Sequence, residues 1–383
     1  MNQRVLLVEP YCGNIYPPLG LMKISTWHKQ KGDSVTFLRL GSQEYPLPVN
    51  YSPDDLYDVI YITSLFTYHA DEVIKAIRYC QTKYPQAEIK VGGVMATLIP
   101  DHVKKETGLS PHEGLLSGAE DCKPDYSLFP ELRCSISFTT RGCKRACEFC
   151  AVRKHEPRFF TKDNWENDVD LAKSSIIFWD NNWLYSPNFY KDIEKLKRLD
   201  KRYDFNQGLD CRLFDDGMAK ALSQTKVAPL RFAFDNHSEE GYIQNAIKLA
   251  QKHGFKDIRV YVLYNSTDDK DTPEYFFYRI NEMNKLGALS YPMRFRPIDS
   301  TKGRYVSPKW NTTLLRALKL TLMFYYNKGM ITKSRESFIN MYGKNTKEFK
   351  EKLHSIYRRD RELDKLRDRK SKRRANNKDS EVL

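Results

Sequence analysis

The sequence predicts two α/β modules in series: a doubly wound, Rossmann-like parallel sheet, then a partial (β/α)6 TIM barrel followed by C-terminal helices. Three observations lead there. Over the first 120 or so residues, short apolar runs alternate with helix-compatible segments, the order of a parallel sheet covered on both faces. Six strand-like runs then recur with starts about 25 to 40 residues apart, two units short of a closed barrel. The 383 residues are 40% hydrophobic and 29% charged, which supports sizeable cores and excludes wholesale disorder.

The elements follow in order. Arg4 to Glu9 (RVLLVE) is a short apolar run closed by Pro10, the pattern of a strand buried on both faces. The next loop, CGNIYPPLG, carries Pro17 and Pro18, which cannot lie inside a helix and can precede one. Leu21 to Lys31 reads as that helix. Further strands are expected at Ser34–Leu40, Asp58–Thr63 and Glu88–Val91, with a helix over Ala70–Lys83. Gly92 and Gly93, directly after the fourth strand, mark a place where backbone comes close to a neighbour, either a ligand or the next helix. Residues 110–132 link this module to the next.

In the second module strands are expected at Ser135–Thr140, Ser175–Asp180, Asp204–Asp210, Leu230–Asp235, Ile258–Tyr264 and Tyr291–Ile298, with helices such as Tyr242–His253 and Pro273–Leu286 between them. Three of these strands end on Asp180, Asp210 and Asp235. In parallel barrels that edge carries the chemistry, and an aspartate there can equally cap the next helix. Asn311–Tyr326 is apolar with helical periodicity. After Gly343 the chain reads as a charged helix fraying into SKRRANNKDSEVL. The expected divisions are 1–120, 121–300, 301–343 and 344–383.

No apolar stretch approaches the ~18 residues of a membrane span. The N-terminus, MNQRVLLVEPYCG, turns polar before a signal-peptide apolar region could finish, so the expectation is a cytoplasmic chain without a membrane partner. In a reducing compartment, a tight thiol cluster points to metal rather than to disulfides. Such a cluster is present in Thr140-Arg-Gly-Cys-Lys-Arg-Ala-Cys-Glu-Phe-Cys150, where Cys143, Cys147 and Cys150 have the spacing C-x3-C-x2-C. Three thiolates on one short loop can converge on one soft metal centre, and three ligands for a four-iron cluster leave one iron open to a substrate. Arg141, Lys144 and Arg145 lower the cost of gathering thiolates. Structural zinc wants four ligands; the nearest fourth candidates, His155 and Cys134, give no familiar finger spacing. A closed four-cysteine cluster would need Cys134 or Cys211.

C-x3-C-x-φ-C with an aromatic φ, here Phe149, resembles the signature of radical S-adenosylmethionine enzymes. The resemblance implies a [4Fe–4S] cluster on Cys143, Cys147 and Cys150, with S-adenosyl-L-methionine chelating the open iron. It also implies reductive cleavage of that cofactor to a 5′-deoxyadenosyl radical, which abstracts hydrogen from a small-molecule or peptide substrate. A flavodoxin or ferredoxin is the implied reductant. The run Phe178-Trp-Asp-Asn-Asn182 is similar to the F-x-D-D-N-x run of cobalamin-type members, whereas the Gly-Gly-Glu run that contacts the cofactor amino group is missing. Asp180 and Asn181 are the implied substitutes. Asp210, Arg212 and Asp235 complete the expected barrel mouth, with Asp180, Asp210 and Asp235 as catalytic candidates. Arg212 can pair with the cofactor carboxylate or with a neighbouring aspartate. Tyr261 to Leu263 on the fifth strand are implied near adenine.

The first module resembles the cobalamin-binding-like domain that precedes many such barrels, through Pro17-Pro-Leu-Gly-Leu21 and Gly92-Gly-Val-Met-Ala-Thr97. Its first loop, Tyr11-Cys-Gly-Asn-Ile-Tyr16, has no histidine where other cobalamin domains carry Asp-x-His-x-x-Gly. Both a bound cobalamin, close to Ser64, Gly92 and Gly93, and a domain that has lost it stay open. With cobalamin, methyl transfer to an unactivated carbon or phosphorus is implied; without it, rearrangement or oxidation. Of the formal charge of +14, half lies in residues 344–383, with 15 Lys/Arg against 8 Asp/Glu. Such a tail can neutralise nucleic-acid phosphates or be a solvated helix. A nucleic-acid-modifying radical enzyme and a zinc-stabilised nucleic-acid-binding protein are the alternatives.

Overall fold

The N-terminal elements are β1 (Arg4–Pro10), α1 (Leu19–Lys29), β2 (Ser34–Leu40), β3 (Val59–Ser64), α2 (Ala70–Lys83), β4 (Glu88–Gly93), α3 (Val94–Leu98) and α4 (Pro100–Thr107). They belong to a computed structural model that describes residues 2–14, 16–40, 56–324 and 329–380. The four strands form a parallel sheet in the order β2-β1-β3-β4. Successive β1 side chains point to opposite faces, and each face has its own helices. Val5 and Leu7 pack with Leu21 and Ile24 of α1. Leu6 and Val8 pack with Val73, Ile74 and Ile77 of α2 and Met95 of α3. The sheet is doubly wound as expected, and the order changes direction between β1 and β3, the switch point where ligands sit in open α/β sheets.

By internal contacts the chain forms two units, Met1–Leu230 with Arg296–Tyr305, and Arg231–Phe295 with Val306–Leu383. The first also holds β5 (Cys134–Ser137), β6 (Thr140–Arg141), α5 (Val152–His155), β7 (Phe160–Thr161), β8 (Ser175–Phe178), α6 (Phe189–Leu199), β9 (Arg202–Phe205) and α7 (Asp216–Ser223). β5, β8 and β9 make a parallel three-stranded sheet, while β6 and β7 make a two-residue antiparallel pair. That pair was not expected. The third barrel strand also differs from expectation. It occupies Arg202–Phe205 rather than Asp204–Asp210, because the chain turns at once: Gly208 N–H donates to Phe205 O, and Gly208 has φ +89°. Asp210 therefore lies in the loop beyond the strand.

In the other unit, β10 (Leu230–Ala233), β11 (Ile258–Tyr264) and β12 (Leu289–Arg294) form a second three-stranded sheet, with α8 (Tyr242–Lys252) and α9 (Pro273–Lys285) between them in sequence. Six strands are thus present in the expected order, as two sheets of three. α10 (Thr312–Phe324), α11 (Arg335–Tyr342) and α12 (Thr346–Ser380) follow; the expected end of α10, residues 325–326, lies outside the described residues. The tail does not fray after residue 370 but continues helical to Ser380. Arg316 of α10 donates to Asp360 and Asp364 of α12, at 2.7 and 2.6 Å, so two of the tail's acids are spent on holding it. No helix of the described residues is long and apolar enough to cross a membrane.

Candidate active site

The cysteine loop leaves β6 through Gly142, whose φ of +70° suits a residue without a Cβ. A Cβ there would stand 2.2 Å from the carbonyl oxygen of Arg158. The β6–β7 pair and this contact fix the start of the loop. Glu156 ties it further: its Oε2 accepts from Gly142 N–H at 2.7 Å and from Asn181 Nδ2 at 2.9 Å. Cys143, Cys147 and Cys150 are half-buried and in no disulfide. Arg145 N–H donates to Cys143 Sγ at 3.3 Å, and Cys150 N–H to Cys147 O at 3.1 Å. Phe149 is half-buried beside Cys150. The three thiols share one segment, yet among the described residues no group of three His, Cys, Asp or Glu side chains is gathered as metal ligands. The donor set fits an iron–sulfur cluster in kind: soft, half-exposed thiols on a loop held at its start.

Asp180 sits beneath that start, fully buried. Its carboxylate accepts four hydrogen bonds: from Thr139 N–H (3.1 Å), Thr139 Oγ1 (2.6 Å), Thr140 N–H (2.6 Å) and Thr140 Oγ1 (2.7 Å). It clamps the chain just before Arg141. Burial raises its pKa from 3.8 to about 6, against the pull of those donors. The folded state thus favours the protonated acid, and the linkage sign follows: stability contributed by Asp180 is full below about pH 4 and is lost as pH rises through about 6. In Asp180→Asn that fall is absent, so denaturant titrations from pH 4 to pH 6.5 should show wild type losing stability relative to the variant; parallel curves would refute the assignment.

Asp210 is likewise buried and oriented by neighbours. Its Oδ2 accepts from Arg145 Nε at 2.7 Å and Asn182 Nδ2 at 3.1 Å, and its Oδ1 from Arg212 Nε at 2.7 Å. Burial pushes its pKa up, but the hydrogen bonds from Arg212 and Arg145 outweigh this and hold it below the ordinary carboxylate value. Arg212 therefore takes the neighbouring-aspartate pairing. The loop cations do not all face the thiols: Arg145 meets Asp210, and Arg141 lies 3.2 Å from Glu156.

A cavity of about 750 Å³ opens at the C-terminal edge of the β1–β4 sheet and reaches Arg141 and Glu156. Ser64, Gly92 and Gly93 line it. Ser64 Oγ donates to Gly92 O at 2.8 Å and accepts from Ala96 N–H at 3.0 Å. Gly93 has φ +101°, and a Cβ there would lie 2.2 Å from Ser64 O, so the close approach read from the glycine pair is to the end of β3. The cavity suits a large, mixed-polarity ligand in size and in its glycine-rich floor. Glu9, at the end of β1, is buried against Arg39 (2.5 Å), and burial pushes its pKa up to about 7.

Asp235, Tyr261 and Leu263 belong to the other unit. There Asp235 Oδ1 accepts from Leu263 N–H at 3.1 Å, and Tyr261 stands edge-on to Tyr291 with its hydroxyl accepting from Arg231 at 3.2 Å. Sequence reasoning missed Glu120 and Glu156 and the buried role of Arg141. Glu156 follows Arg153-Lys154-His155, a charged run that reads as solvated surface, so no local signal marks it.

No family model matches this sequence, and no curated protein matches it. In fold, the chain is similar to the radical S-adenosylmethionine methyltransferase TsrM from Kitasatospora setae, solved with cobalamin and a [4Fe–4S] cluster bound. The TM-score is 0.62 at 13% identity, over 79% of this chain and 77% of that one. TsrM with tryptophan substrate and the S-adenosylmethionine analogue aza-SAM bound matches with a TM-score of 0.61 at 12% identity, over 78% and 75% of the two chains. The likeness leads to a conclusion about architecture: this chain shares the fold of the radical S-adenosylmethionine methyltransferase TsrM, with its cysteine motif directly after β6.

Proposed function

We propose that the chain is a radical S-adenosylmethionine enzyme that binds a corrinoid and transfers a methyl group to a small-molecule or peptide substrate. The observation that carries the reading is C-x3-C-x-Phe-C on a clamped loop, beside a large cavity at the switch point of a doubly wound sheet. Cys143, Cys147 and Cys150 would hold a [4Fe–4S] cluster, Asn181 would contact S-adenosylmethionine, and the edge at Ser64, Gly92 and Gly93 would receive the corrinoid. Those groups supply one-electron and methyl-carrier chemistry when bound. The protein's part is positioning. Asp180 holds the start of the loop, Asp210 orients Arg145 and Arg212, and Glu156 joins the loop to the cavity wall. In this reading residues 1–120 are the corrinoid domain and residues 121–300 supply the six β/α units, Asp235, Tyr261 and Leu263 among them. Residues 301–343 and 344–383 then form the C-terminal helices and the tail.

The test is anaerobic reconstitution with iron and sulfide, then an assay for 5′-deoxyadenosine and S-adenosylhomocysteine with and without cobalamin. S-adenosylhomocysteine formed only with cobalamin is the expected result. Deoxyadenosine alone would move the reading to rearrangement or oxidation, and stoichiometric zinc without cluster absorbance would overturn it.

A further inference from the structure

Three residues that line the cavity each have a buried polar atom without a hydrogen-bond partner: Arg141 Nε, Glu120 Oε1 and His155 Nδ1. Arg141 is only 5% exposed. Its terminal nitrogen lies 3.2 Å from Glu156 Oε1, whereas its Nε stands 3.6 Å from Glu120 Oε1, beyond hydrogen-bond reach. Lys23 and Lys162 face that Glu120 oxygen at 3.9 and 3.5 Å, as ion pairs rather than aligned donors. His155 Nε2 is 3.4 Å from Glu156 Oε1, which favours the tautomer with its proton there and leaves Nδ1 an acceptor.

The surroundings are also balanced in charge. Lys23, Arg141 and Lys162 face Glu120, Glu156 and Asp168 in one network. An added ion would be left without a counter-charge in a buried place. What these residues can still take is a neutral group with one acceptor, for Arg141 Nε–H, and two donors, for Glu120 Oε1 and His155 Nδ1. A primary carboxamide has that inventory.

We propose that Glu120, Arg141 and His155 form a subsite for a primary carboxamide of the ligand in this cavity. The carbonyl accepts from Arg141, and the two N–H groups donate to Glu120 and His155. The inference rests on the corrinoid reading, since a corrin ring is fringed with carboxamide arms.

Equilibrium binding to the full chain, read by absorbance after ultrafiltration, tests it without any turnover. The probes are hydroxocobalamin and its monocarboxylic acids, each with one arm hydrolysed. One of these acids should bind unaltered protein at least tenfold more weakly than the parent, because it places a carboxylate beside Glu120. Arg141→Lys and Glu120→Gln should each weaken parent binding about tenfold, and Glu120→Gln should narrow the gap between that acid and the parent. The ligand series on unaltered protein stands even where a variant misfolds. Equal binding of the parent and every acid overturns the subsite and leaves the corrinoid reading intact. No binding of hydroxocobalamin overturns the corrinoid reading, and the subsite with it.

Discussion

With Cys143, Cys147 and Cys150 all replaced by alanine, the reconstituted chain should hold no iron above background and form no 5′-deoxyadenosine, while the metal-free protein melts as before. The two halves of this expectation have separate physical causes. The thiols are half-buried, in no disulfide, and on a loop whose start is held by other groups, namely Asp180 and Glu156. Truncating them removes little packing, and surface changes of this kind cost ~0.5 kcal/mol or less each. The ligand set, by contrast, is lost entirely. Iron and sulfide analysis, cluster absorbance and a melting curve of the apoprotein check both halves. Iron retained by the triple variant would put the cluster on other thiols such as Cys134 or Cys211, both buried, and would overturn the assignment.

Gly142→Ala should be, with Gly93→Ala, among the most damaging single-methyl changes in the first unit. A side chain at φ +70° already costs roughly 1–2 kcal/mol. The added Cβ would also lie 2.2 Å from Arg158 O, 2.7 Å from its carbonyl carbon and 3.0 Å from Glu156 O. These are backbone atoms, so no rotamer change relieves the clash; the β6–β7 pair has to open or the loop has to shift. The expected loss is roughly 3 kcal/mol or more, the size reserved for strain and overpacking, with iron uptake falling alongside. Gly13→Ala is the control, since its φ of +65° is similar but nothing lies within 4 Å of its Cβ. Denaturant midpoints separate the two. If both variants unfold alike, the clash does not exist and the loop follows another path.

The legible parts of the chain were those where one local rule decides. α2 and β11 have the expected bounds, Ala70–Lys83 and Ile258–Tyr264, because helical periodicity and an apolar run each stand between clear breaks. The cysteine motif was legible because its spacing is local. What could not be read were pairings distant in sequence. Glu120, Arg141, Glu156 and Lys23 meet in one buried network, yet each looks like an ordinary surface charge in its own segment. Asp180 and Asp210 were picked out by position, but position could not tell that the first clamps Thr139 and Thr140 and the second orients two arginines. The misplaced third strand has a local cause, a turn closed at Gly208, that apolar patterning does not sense. In the tail, Asp360 and Asp364 pair with Arg316 of α10, 44 and 48 residues away, a partner that the tail's own composition does not reveal.

The bond from Ser64 to the Gly92 carbonyl and the contact of Gly93 with the Ser64 backbone make the edge of the first sheet a surface without slack. A visitor to that edge meets atoms already committed to one another, so the freedom surrendered on docking is almost wholly the visitor's own. Such an edge offers a fixed outline, set by the backbone of Ser64, Gly92 and Gly93 before any guest arrives.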